Sequence, residues 1–486
     1  MSISEIIQYA TECEQYGCYS DEFDAIRKGL EIDSFNAELY LMLGLYYFTK
    51  NIDQAYICLQ HAYYCCEDKD EDSEIVSAIV NALSELGKYK KFSVRDTSIV
   101  ILSYNDIEIM KECLKNVRAY TDPMHTEIVV VDNASTDGVS EWLTEQKDII
   151  YYASKENLGF SKGCNIGYSL CNKENDVFFL NNDAVLTPAS LLYLKLALYD
   201  SPDTGMVSGV SNNAMSQTIP VPDNTIKGCL KSAQTINLPS ENPLEARARL
   251  TGFALLIRRE ACQSVELYDE DHTMIFDELF SPAYFEDDDL GIRINAAGWK
   301  EYLVHNSLIY HKGGEGFDKE NKTMVESRQK FIDKWGFDIW CYIIGDEYAI
   351  EKLESCETDH NASFRILEVG CGMGATLSQI KYLYPNADVT GIEEVPFIAM
   401  LAKNSGHIIC DNILEYDYTL LGKFDYILAD LSALDEDNRA EGDQPSCSPA
   451  SRWSASADIL HISGSAIKNR LKEKLSACLN KNGIII

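Results

Sequence analysis

Apolar residues recur at helical spacing through the first 92 residues of the chain. One stripe contains Leu39, Leu43, Tyr46 and Tyr47, which fall on one face of a helix. A second stripe comprises Ala55, Leu59, Ala62 and Cys66. This region shows no strand signal. We therefore expect residues 1–92 to form paired antiparallel helices.

After residue 92 the pattern changes to short apolar runs that alternate with amphipathic helices. Residues 98–102 and 127–131 have the pattern of buried strands, and residues 107–120 between them have that of a helix. Strands that alternate with helices are typical of a parallel sheet with helices on both faces. The sequence thus predicts an α/β domain with a doubly wound parallel sheet over residues 93–345.

A second α/β unit is predicted after a charged linker at residues 346–363. The apolar run that follows the linker opens a domain that we place at residues 364–486. Four further strands are expected in it, at residues 389–393, 408–411, 424–430 and 483–486. Residues 435–457 are rich in Asp, Ser, Pro and Ala without periodicity, which is typical of a loop. A chain of 486 residues is long enough for these three domains.

The net charge of the chain disfavours some classes of binding partner. The chain has 77 acidic and 42 basic residues, which gives a formal net charge of −35. Coulomb repulsion opposes nonspecific binding to nucleic acids and to anionic membrane surfaces. We therefore expect no nucleic-acid partner, and we expect a polyanionic substrate to require a bound cation.

The cysteines and the amino terminus indicate the compartment. Sixteen Cys are scattered without a Cys-x-x-Cys pair, and most lie inside apolar patterns, which is typical of a reducing environment. The first residues lack a basic stretch followed by an apolar one, and no run of 18 apolar residues occurs. These features predict a soluble, cytoplasmic protein with no transmembrane segment.

Polar side chains follow the first two strands of the middle domain. Ser103, Tyr104 and Asn105 come after the first strand, and the run from Asp132 to Asp137 comes after the second. The carboxyl ends of neighbouring parallel strands form the ligand-binding edge of open α/β sheets. A carboxylate at this edge can accept hydrogen bonds from a base or a ribose, and a tyrosine ring can lie against the base. The run from Asp132 to Asp137 also suits a loop that merely caps a helix.

Two further segments add candidate ligands. Residues 157–167 contain Asn157, Gly159 and Asn165, and glycine allows the backbone to approach a ligand closely. Next, the apolar run at residues 177–180 stops on Asn181, Asn182 and Asp183. An Asp at the carboxyl end of a buried strand can hold a divalent cation against phosphate oxygens. Taken alone this segment is weak evidence, because every strand that leaves a core meets polar residues.

An acidic run and a histidine complete the pattern. Residues 285–290 place Glu286, Asp287, Asp288 and Asp289 at the start of a helix, where the helix dipole favours acids for structural reasons alone. His311 follows an apolar strand, and a lone histidine is usually structural. A neutral imidazole can nevertheless ligate a metal, and it suits Mn²⁺ better than Mg²⁺.

This ordered set resembles the family-2 glycosyltransferases of the GT-A fold, and most of all their rhamnosyltransferase-like branch, over about residues 96–340. The resemblance implies an inverting enzyme that moves a sugar from a nucleotide-sugar donor to a carbohydrate or lipid-linked acceptor. The residues that it assigns to the donor are Ser103, Tyr104, Asn105, Asp132, Asn133, Asp137, Asn157, Gly159, Asn165 and Asn182.

The same resemblance assigns the reaction chemistry. Asp287 would be the general base that removes a proton from the acceptor hydroxyl, in direct displacement without a covalent intermediate. The acceptor site would contain Thr251, Gly252 and Glu286. The divalent metal, Mn²⁺ or Mg²⁺, would be held by Asp183, His311 and Asn181. Asn181 replaces the first Asp of the family's Asp-x-Asp motif, so Asp183 is the principal ligand.

The last domain resembles a class I methyltransferase that binds S-adenosylmethionine. Three glycines lie at a strand-to-helix turn, and the next two strands each end on an acid. The residues assigned to S-adenosylmethionine are Glu368, Gly370, Gly372, Gly374, Glu393 and Asp411. A Gly-x-Gly-x-Gly run also occurs in dinucleotide binders. The sequence ends before the last two strands of such domains, so we expect a truncated or reduced domain, and no catalytic side chain can be nominated.

The helical segment resembles a tetratricopeptide repeat at residues 37–55, which suits either a protein-binding face or a helical buttress. Our interpretation is therefore a three-part enzyme for polysaccharide or glycan assembly. It consists of a tetratricopeptide-like helical segment, a GT-A glycosyltransferase and a Rossmann-like methyltransferase domain. Two alternatives stay open, namely a methyltransferase with a degenerate glycosyltransferase domain and a helical-repeat scaffold for glycan enzymes.

Overall fold

The computed structural model describes residues 1–66, 69, 73–89, 92–269, 272–313, 321–429 and 464–486. The chain packs as two compact units, each with its own core. The first unit contains Met1–Leu244, Leu250–Leu290 and Ala297–Ser327, and the second contains Glu245–Arg249, Gly291–Ala296 and Arg328–Ile486. Among the described residues, no helix is both long and apolar enough to cross a membrane.

The first unit begins with five helices, which confirms the helical prediction for this segment. They are α1 (Ile3–Tyr16), α2 (Tyr19–Ile32), α3 (Ala37–Tyr47), α4 (Ile52–Cys65) and α5 (Glu74–Tyr89). Local signals set their ends. Ser2 and Glu5 form a reciprocal capping box at the start of α1, and Gly17 ends that helix in the left-handed conformation, with φ 72°. Asn36 and Asn51 accept backbone hydrogen bonds at the starts of α3 and α4.

Strands and helices then alternate. The strands are β1 (Thr97–Ser103), β2 (Thr126–Asp132), β3 (Ile150–Ala153), β4 (Asp176–Asn181), β5 (Ala184–Val185), β6 (Thr204–Ser211), β7 (Leu244–Arg247), β8 (Ala254–Ile257), β9 (Leu267–Tyr268), β10 (Thr273–Met274) and β11 (Lys300–His311). The helices are α6 (Ile107–Tyr120), α7 (Val139–Thr144), α8 (Phe160–Leu170), α9 (Ser190–Leu198), α10 (Ile226–Ile236), α11 (Arg259–Val265) and α12 (Glu286–Ala296).

The main sheet is mixed. Eight of its strands lie in the order β3-β2-β1-β4-β8-β6-β11-β5. Strands β1 to β4 pair in parallel, as predicted. The prediction of a wholly parallel sheet is wrong, because β8 runs antiparallel to β4 and β6, and β5 runs antiparallel to β11. A short apolar run specifies burial but does not encode the direction in which a strand enters the sheet.

One hydrophobic core joins the helices to the sheet of the first unit. It contains Leu43 and Leu59 from the helical segment together with Phe178 and Leu192 from the α/β part. Polar contacts reinforce this packing, since Gln54 Nε2 donates to Leu196 O over 3.0 Å. The helical segment is thus a structural part of the first unit.

The second unit is built on a five-stranded parallel sheet. Its strands are β12 (Arg365–Val369), β13 (Asp388–Glu393), β14 (His407–Cys410), β15 (Phe424–Leu428) and β16 (Leu479–Ile485), in the order β14-β13-β12-β15-β16. Its helices are α13 (Lys322–Trp335), α14 (Glu347–Cys356), α15 (Ala375–Leu383), α16 (Pro396–Leu401) and α17 (Gly464–Ser476). The loop predicted at residues 435–457 lies outside the described residues.

Candidate active site

Three parallel strands bring the predicted donor residues to one edge of the main sheet. Ser103 at the end of β1 is in register with Asp132 at the end of β2, and Leu102 is in register with Asn181 of β4. Ser103 and Asp132 are buried. Ser103 Oγ has no hydrogen-bond partner among the described residues. Tyr104, by contrast, is 49% exposed, and its ring can lie against a planar group.

The loops after β1 and β2 are hydrogen-bonded to each other. Asn105 N donates to Ser135 Oγ over 2.8 Å, and Asn105 Oδ1 accepts from Thr136 N over 2.9 Å. Asp137 Oδ2 accepts from Ile107 N over 2.8 Å, at the start of α6. The structure therefore gives Asp137 a helix-capping role, which is the structural alternative for this run. Its predicted role toward the donor stays a prediction.

Asn133, Asn157 and Gly159 form a second hydrogen-bonded loop. Asn133 Nδ2 donates to Asn157 Oδ1 over 2.9 Å, and Asn133 Oδ1 accepts from Leu158 N over 2.8 Å. Gly159 has φ 79°, and a Cβ at this position would lie 2.6 Å from Pro282 Cα. Only glycine permits both this backbone conformation and this close approach.

Asn165 lies on α8 with its amide fully engaged. Its Oδ1 accepts from Ile275 N and Phe276 N, both over 3.0 Å, and its Nδ2 donates to Phe276 O over 2.9 Å and to Glu278 Oε1 over 3.2 Å. An amide has two donor hydrogens and two acceptor lone pairs. The side chain therefore has no hydrogen-bonding capacity left for a donor sugar, and it holds the 275–278 segment in place.

Asp183 and His311 meet at the end of the sheet. His311 closes β11 and pairs with Ala184 of β5, so the antiparallel pairing places it beside Asp183. The distance from His311 Nε2 to Asp183 Oδ1 is 3.4 Å. Both side chains are partly exposed, at 13% for His311 and 23% for Asp183. A ligand can therefore reach this pair from solvent.

The hydrogen bonds of His311 define which atom faces Asp183. His311 Nδ1 lies 2.6 Å from Asn213 O, and a carbonyl can only accept, so Nδ1 carries a proton. In a neutral imidazole, the Nε2 lone pair then faces a carboxylate oxygen. Two such acceptors at 3.4 Å need a positive charge between them, either a proton or a metal ion.

The pKa of His311 agrees with that geometry. Burial lowers the pKa, but the hydrogen bond and the negative charge of Asp183 raise it, and the net direction is upward from the ordinary value. The pair therefore attracts a cation.

Asn181 and Asn182 come directly before Asp183 in the sequence, and each makes its own hydrogen bond. Asn181 N donates to Phe253 O over 2.9 Å, and Asn182 Nδ2 lies 3.5 Å from Asn105 O. Among the described residues, no group of three or more His, Cys, Asp or Glu surrounds one point. A cation at Asp183 and His311 would therefore take its other ligands from the substrate, from water or from amide oxygens.

Asp287 is fixed at the start of α12. Its Oδ2 accepts from Gly252 N over 2.8 Å, and its Oδ1 accepts from Asp288 N over 2.9 Å. Tyr284 and Phe285, the two residues before α12, have φ 73° and 69°, which is a strained conformation for bulky side chains and is common where function fixes the backbone.

The predicted acceptor residues surround Asp287. Gly252 leaves room for it, since a Cβ at Gly252 would lie 3.1 Å from Asp287 Cβ. Thr251 Oγ1 is buried and has no hydrogen-bond partner within the part of the chain that the structure describes. Glu286 is the neighbour of Asp287 on α12 and is buried. The structure thus brings Thr251, Gly252, Glu286 and Asp287 together.

Asn212 and Asn213 also belong to the site, although no pattern in the sequence was used to predict them. Asn212 Oδ1 accepts from His311 N over 2.8 Å, and Asn212 Nδ2 donates to His311 O over 3.0 Å, so one amide holds both backbone groups of His311. The carbonyl of Asn213 sets the histidine tautomer. A signal existed, because both residues directly follow the apolar run of β6.

In the second unit, the predicted glycines form a tight turn after β12. Gly370, Gly372 and Gly374 have φ 77°, 56° and 80°. Glu393, at the end of β13, accepts from Gly372 N over 3.0 Å through Oε2 and from Val395 N over 3.0 Å through Oε1.

The other two residues assigned to S-adenosylmethionine occupy different positions. Glu368 is in register with Gly391 inside the sheet. Asp411 is exposed and accepts from Asn412 N over 2.7 Å. The turn and Glu393 thus form one cluster, with Asp411 just beyond the end of β14.

Part of the first unit matches a known protein family. Residues 98–262 match the family model described as "Glycosyl transferase family 2". This segment contains the ends of β1, β2 and β4 together with Asp183 and Gly252. No curated protein matches the sequence of the chain.

Three solved structures show weak similarity. S. aureus TarS 1-349 is 14% identical, with 44% of this chain and 60% of that chain covered and a TM-score of 0.33. GalNAc-T7 with UDP, GalNAc and Mn²⁺ is 13% identical, with 55% of each chain covered and a TM-score of 0.39. S. aureus TarS 1-349 in complex with UDP-GlcNAc is 16% identical, with 46% and 59% covered and a TM-score of 0.33. The chain spans at most 60% of each of these proteins.

Similarity at this level does not extend to substrates. The family match is the finding that bears on the site, and it supports a GT-A-like α/β domain in the first unit. Residues 98–262 are thus similar to glycosyl transferase family 2, which confirms the family resemblance for this segment of the chain.

Proposed function

We propose that the chain is a metal-dependent, inverting glycosyltransferase that uses a nucleotide-sugar donor and a hydroxyl acceptor on a carbohydrate or a lipid-linked carbohydrate. The observation that carries this proposal is the pairing of Asp183 with His311 Nε2, at 3.4 Å, within reach of Ser103 and Asp132 at the same sheet edge. A nucleoside diphosphate needs both a base-binding and a cation-binding region, and this edge supplies both.

The residues present fit a divalent cation. Asp183 and His311 would hold it, and when bound it would neutralise the charge that develops on the leaving diphosphate. Asn212 and Asn213 orient His311 for this role, in the way that outer partners orient metal-binding histidines. On the donor side, Asp132 and Ser103 would bind the nucleoside.

Asp287 would act on the acceptor. Hydrogen bonds from two backbone N–H groups hold the carboxylate in one orientation, and a carboxylate can remove a proton from a hydroxyl. Thr251 Oγ1 and Glu286 lie next to it and would position that hydroxyl. A carboxylate held opposite the leaving group gives direct displacement with inversion.

Donor binding tests the proposal. Calorimetric titration of the protein with UDP, dTDP and GDP, each with Mn²⁺, with Mg²⁺ and with EDTA, should reveal one nucleotide that binds only with metal. The variant Asp183→Ala should lose that binding. If no nucleotide binds under any condition, the glycosyltransferase proposal is wrong and the domain is degenerate.

A second candidate activity belongs to the second unit, where we propose binding of S-adenosylmethionine. The strand order reverses at β12, and ligands of open parallel sheets bind at such a switch point. The three-glycine turn follows β12 directly, and Glu393 lies against it. Titration with S-adenosylmethionine and with NAD⁺ distinguishes the two ligand classes that this turn suits. Binding of neither would leave the second unit without this role.

Two further proposals concern the role of the helical segment and the location of the enzyme in the cell. The helical segment would serve a protein partner or only support the fold, and its shared core with the sheet favours support. We place the enzyme in the cytoplasm, which fits the free thiol of every cysteine in the described ranges. Its product would enter polysaccharide or glycan assembly.

A further inference from the structure

A cavity of about 240 Å³ lies within the first unit, away from the candidate active site. Helices α2 to α4 form one wall, α9 forms another, and residues 239–244 with Asn306 of β11 complete it. Binding sites for small molecules usually span about 300–1,000 Å³. This cavity is somewhat smaller than that range, so it suits a ligand of one ring.

The lining combines aromatic rings with hydrogen-bonding groups. Phe23, Tyr46 and Tyr47 supply rings, and Lys50 and Asp200 supply exposed charges of opposite sign. Such a lining would leave polar groups unsatisfied around a purely apolar ligand. The acidic residues of the wall, which include Glu241 beside Asp200, likewise disfavour an anion.

Asn306 provides the sharpest sign of a ligand. The side chain is only 7% exposed, and its Nδ2 donates to Leu238 O over 2.9 Å. Its Oδ1 is buried and has no hydrogen-bond partner among the residues that the structure describes. A buried acceptor without a partner costs about 1–3 kcal/mol. A hydroxyl group in the cavity would satisfy it.

Lys50 provides the complementary donor. Its ammonium lies over the ring of Tyr46, with Nζ 3.2 Å from the ring centroid. Within the described ranges it forms no ion pair with a carboxylate, so its N–H groups can donate to a ligand. The cavity thus presents a buried acceptor, a cationic donor and aromatic surface.

We propose that this cavity binds one sugar ring of a glycan. Each sugar hydroxyl both donates and accepts, so a polyol can match Asn306 Oδ1 and Lys50 Nζ at once. The C–H faces of a sugar ring can pack against Phe23 and Tyr47 in the same way as other apolar groups. A neutral ligand also agrees with a wall that contains charges of both signs.

The position of the cavity separates it from catalysis. Asn306 lies five residues before His311 on β11, and a strand rises about 3.3 Å per residue, so roughly 16 Å separates them along the strand. The bound unit would therefore be a sugar remote from the reacting hydroxyl. Its binding stands apart from the proposed transfer activity, and each can fail without the other.

Saturation-transfer NMR on the full chain tests the proposal. The probes are glucose, galactose, mannose, rhamnose and N-acetylglucosamine, with cyclohexanol as a ring that lacks the hydroxyl pattern. We expect at least one sugar to bind with a millimolar Kd, and cyclohexanol to bind at least about tenfold more weakly. Excess nucleoside diphosphate should leave the sugar signal unchanged.

Two variants keep the test independent of folding. Ser240→Trp fills the cavity from a partly exposed position in its wall, and Asn306→Leu removes the buried acceptor; each should weaken sugar binding at least about fivefold. Tyr16→Phe changes an exposed tyrosine outside the cavity and should have no effect. The proposal is overturned if no sugar binds, if cyclohexanol binds equally well, or if Ser240→Trp binds sugar as the parent does. Loss of binding in Asp183→Ala alone would assign the sugar to the catalytic site instead.

Discussion

His311 Nε2 faces Asp183 Oδ1 at 3.4 Å, while the carbonyl of Asn213 holds the proton on His311 Nδ1. The arrangement places two acceptors side by side, and only a cation makes it favourable. A proton on Nε2 is one such cation, and the negative charge of Asp183 raises the pKa of His311 accordingly. A divalent metal would replace that proton when the donor binds, because metal ligands must be deprotonated.

The first prediction concerns metal affinity. His311→Gln should weaken Mn²⁺ binding at least about tenfold, because it removes one of the two ligands that the chain supplies. Mn²⁺ titration followed by electron paramagnetic resonance measures this directly. His407→Gln is the control, since His407 is exposed in the second unit. Equal affinity in the His311 and His407 variants would remove His311 from the site.

The second prediction concerns the general base. Asp287→Asn should preserve donor binding but lower the transfer rate by about 10²–10⁴, because an amide cannot take the proton. Asp288→Asn is a matched control, because Asp288 is the next buried carboxylate and donates its backbone N–H to Asp287. Single-turnover kinetics separates binding from transfer. An Asp287→Asn variant that transfers normally would refute the assignment.

The third prediction concerns the loop at Pro282. Gly159→Ala should destabilise the protein by more than about 2 kcal/mol, because the methyl group meets Pro282 backbone atoms at 2.6 Å and the residue keeps a left-handed φ. Transfer should also fall, since this loop leads into Asp287.

The control variant Gly138→Ala separates the steric contact with Pro282 from the cost of the left-handed backbone conformation. Gly138 has φ 93° with open space around it, so alanine there bears only the conformational cost of about 1 kcal/mol. Urea denaturation of both variants gives the comparison. A similar loss of stability in the two would show that the contact with Pro282 is unimportant.

The sequence predicted the bounds of some helices and strands well, but it did not predict the direction of every strand. Helix α6 begins and ends at the predicted residues, and β1 and β2 each extend the predicted strand by one residue at both ends. Local periodicity suffices there, because each element buries one clear set of apolar residues. The direction of β8 was not predictable, since its run of four buried residues is symmetric in pattern.

The site shows the same limit. Asp183 and His311 are 128 residues apart in sequence, and no spacing rule joins them; only the pairing of β5 with β11 does. The family resemblance assigned Asn165 to the donor site. In the structure, however, its side-chain amide forms its hydrogen bonds with the segment around Phe276. Residue type at a strand or helix end therefore indicates a site, while the contacts decide each role.

The fourth prediction concerns pH and stability. Burial, and then the charge of Glu14, raise the pKa of Glu22 from 4.5 to about 7. The folded state thus binds more protons than the unfolded state between these values, so stability falls as pH rises through this window. Glu22→Gln should remove that loss and stabilise the protein above pH 7 by about 1–3 kcal/mol.

Below pH 4.5 the stability of Glu22→Gln should approach that of the parent, because both side chains are then neutral. Glu31→Gln, on the exposed side of the same helix, should show no such pH dependence. Thermal denaturation across this pH range makes the measurement. Parallel stability curves for the parent and Glu22→Gln would contradict the raised pKa.

The most direct test of the account is nucleoside diphosphate release. The parent protein and Asp183→Ala are incubated with UDP-, dTDP- and GDP-sugars in Mn²⁺, Mg²⁺ or EDTA, and slow hydrolysis without acceptor is followed. We predict that the parent releases one nucleoside diphosphate only when metal is present, and that Asp183→Ala releases none. Release that persists in EDTA or in Asp183→Ala would contradict a metal-dependent glycosyltransferase site at this edge of the sheet.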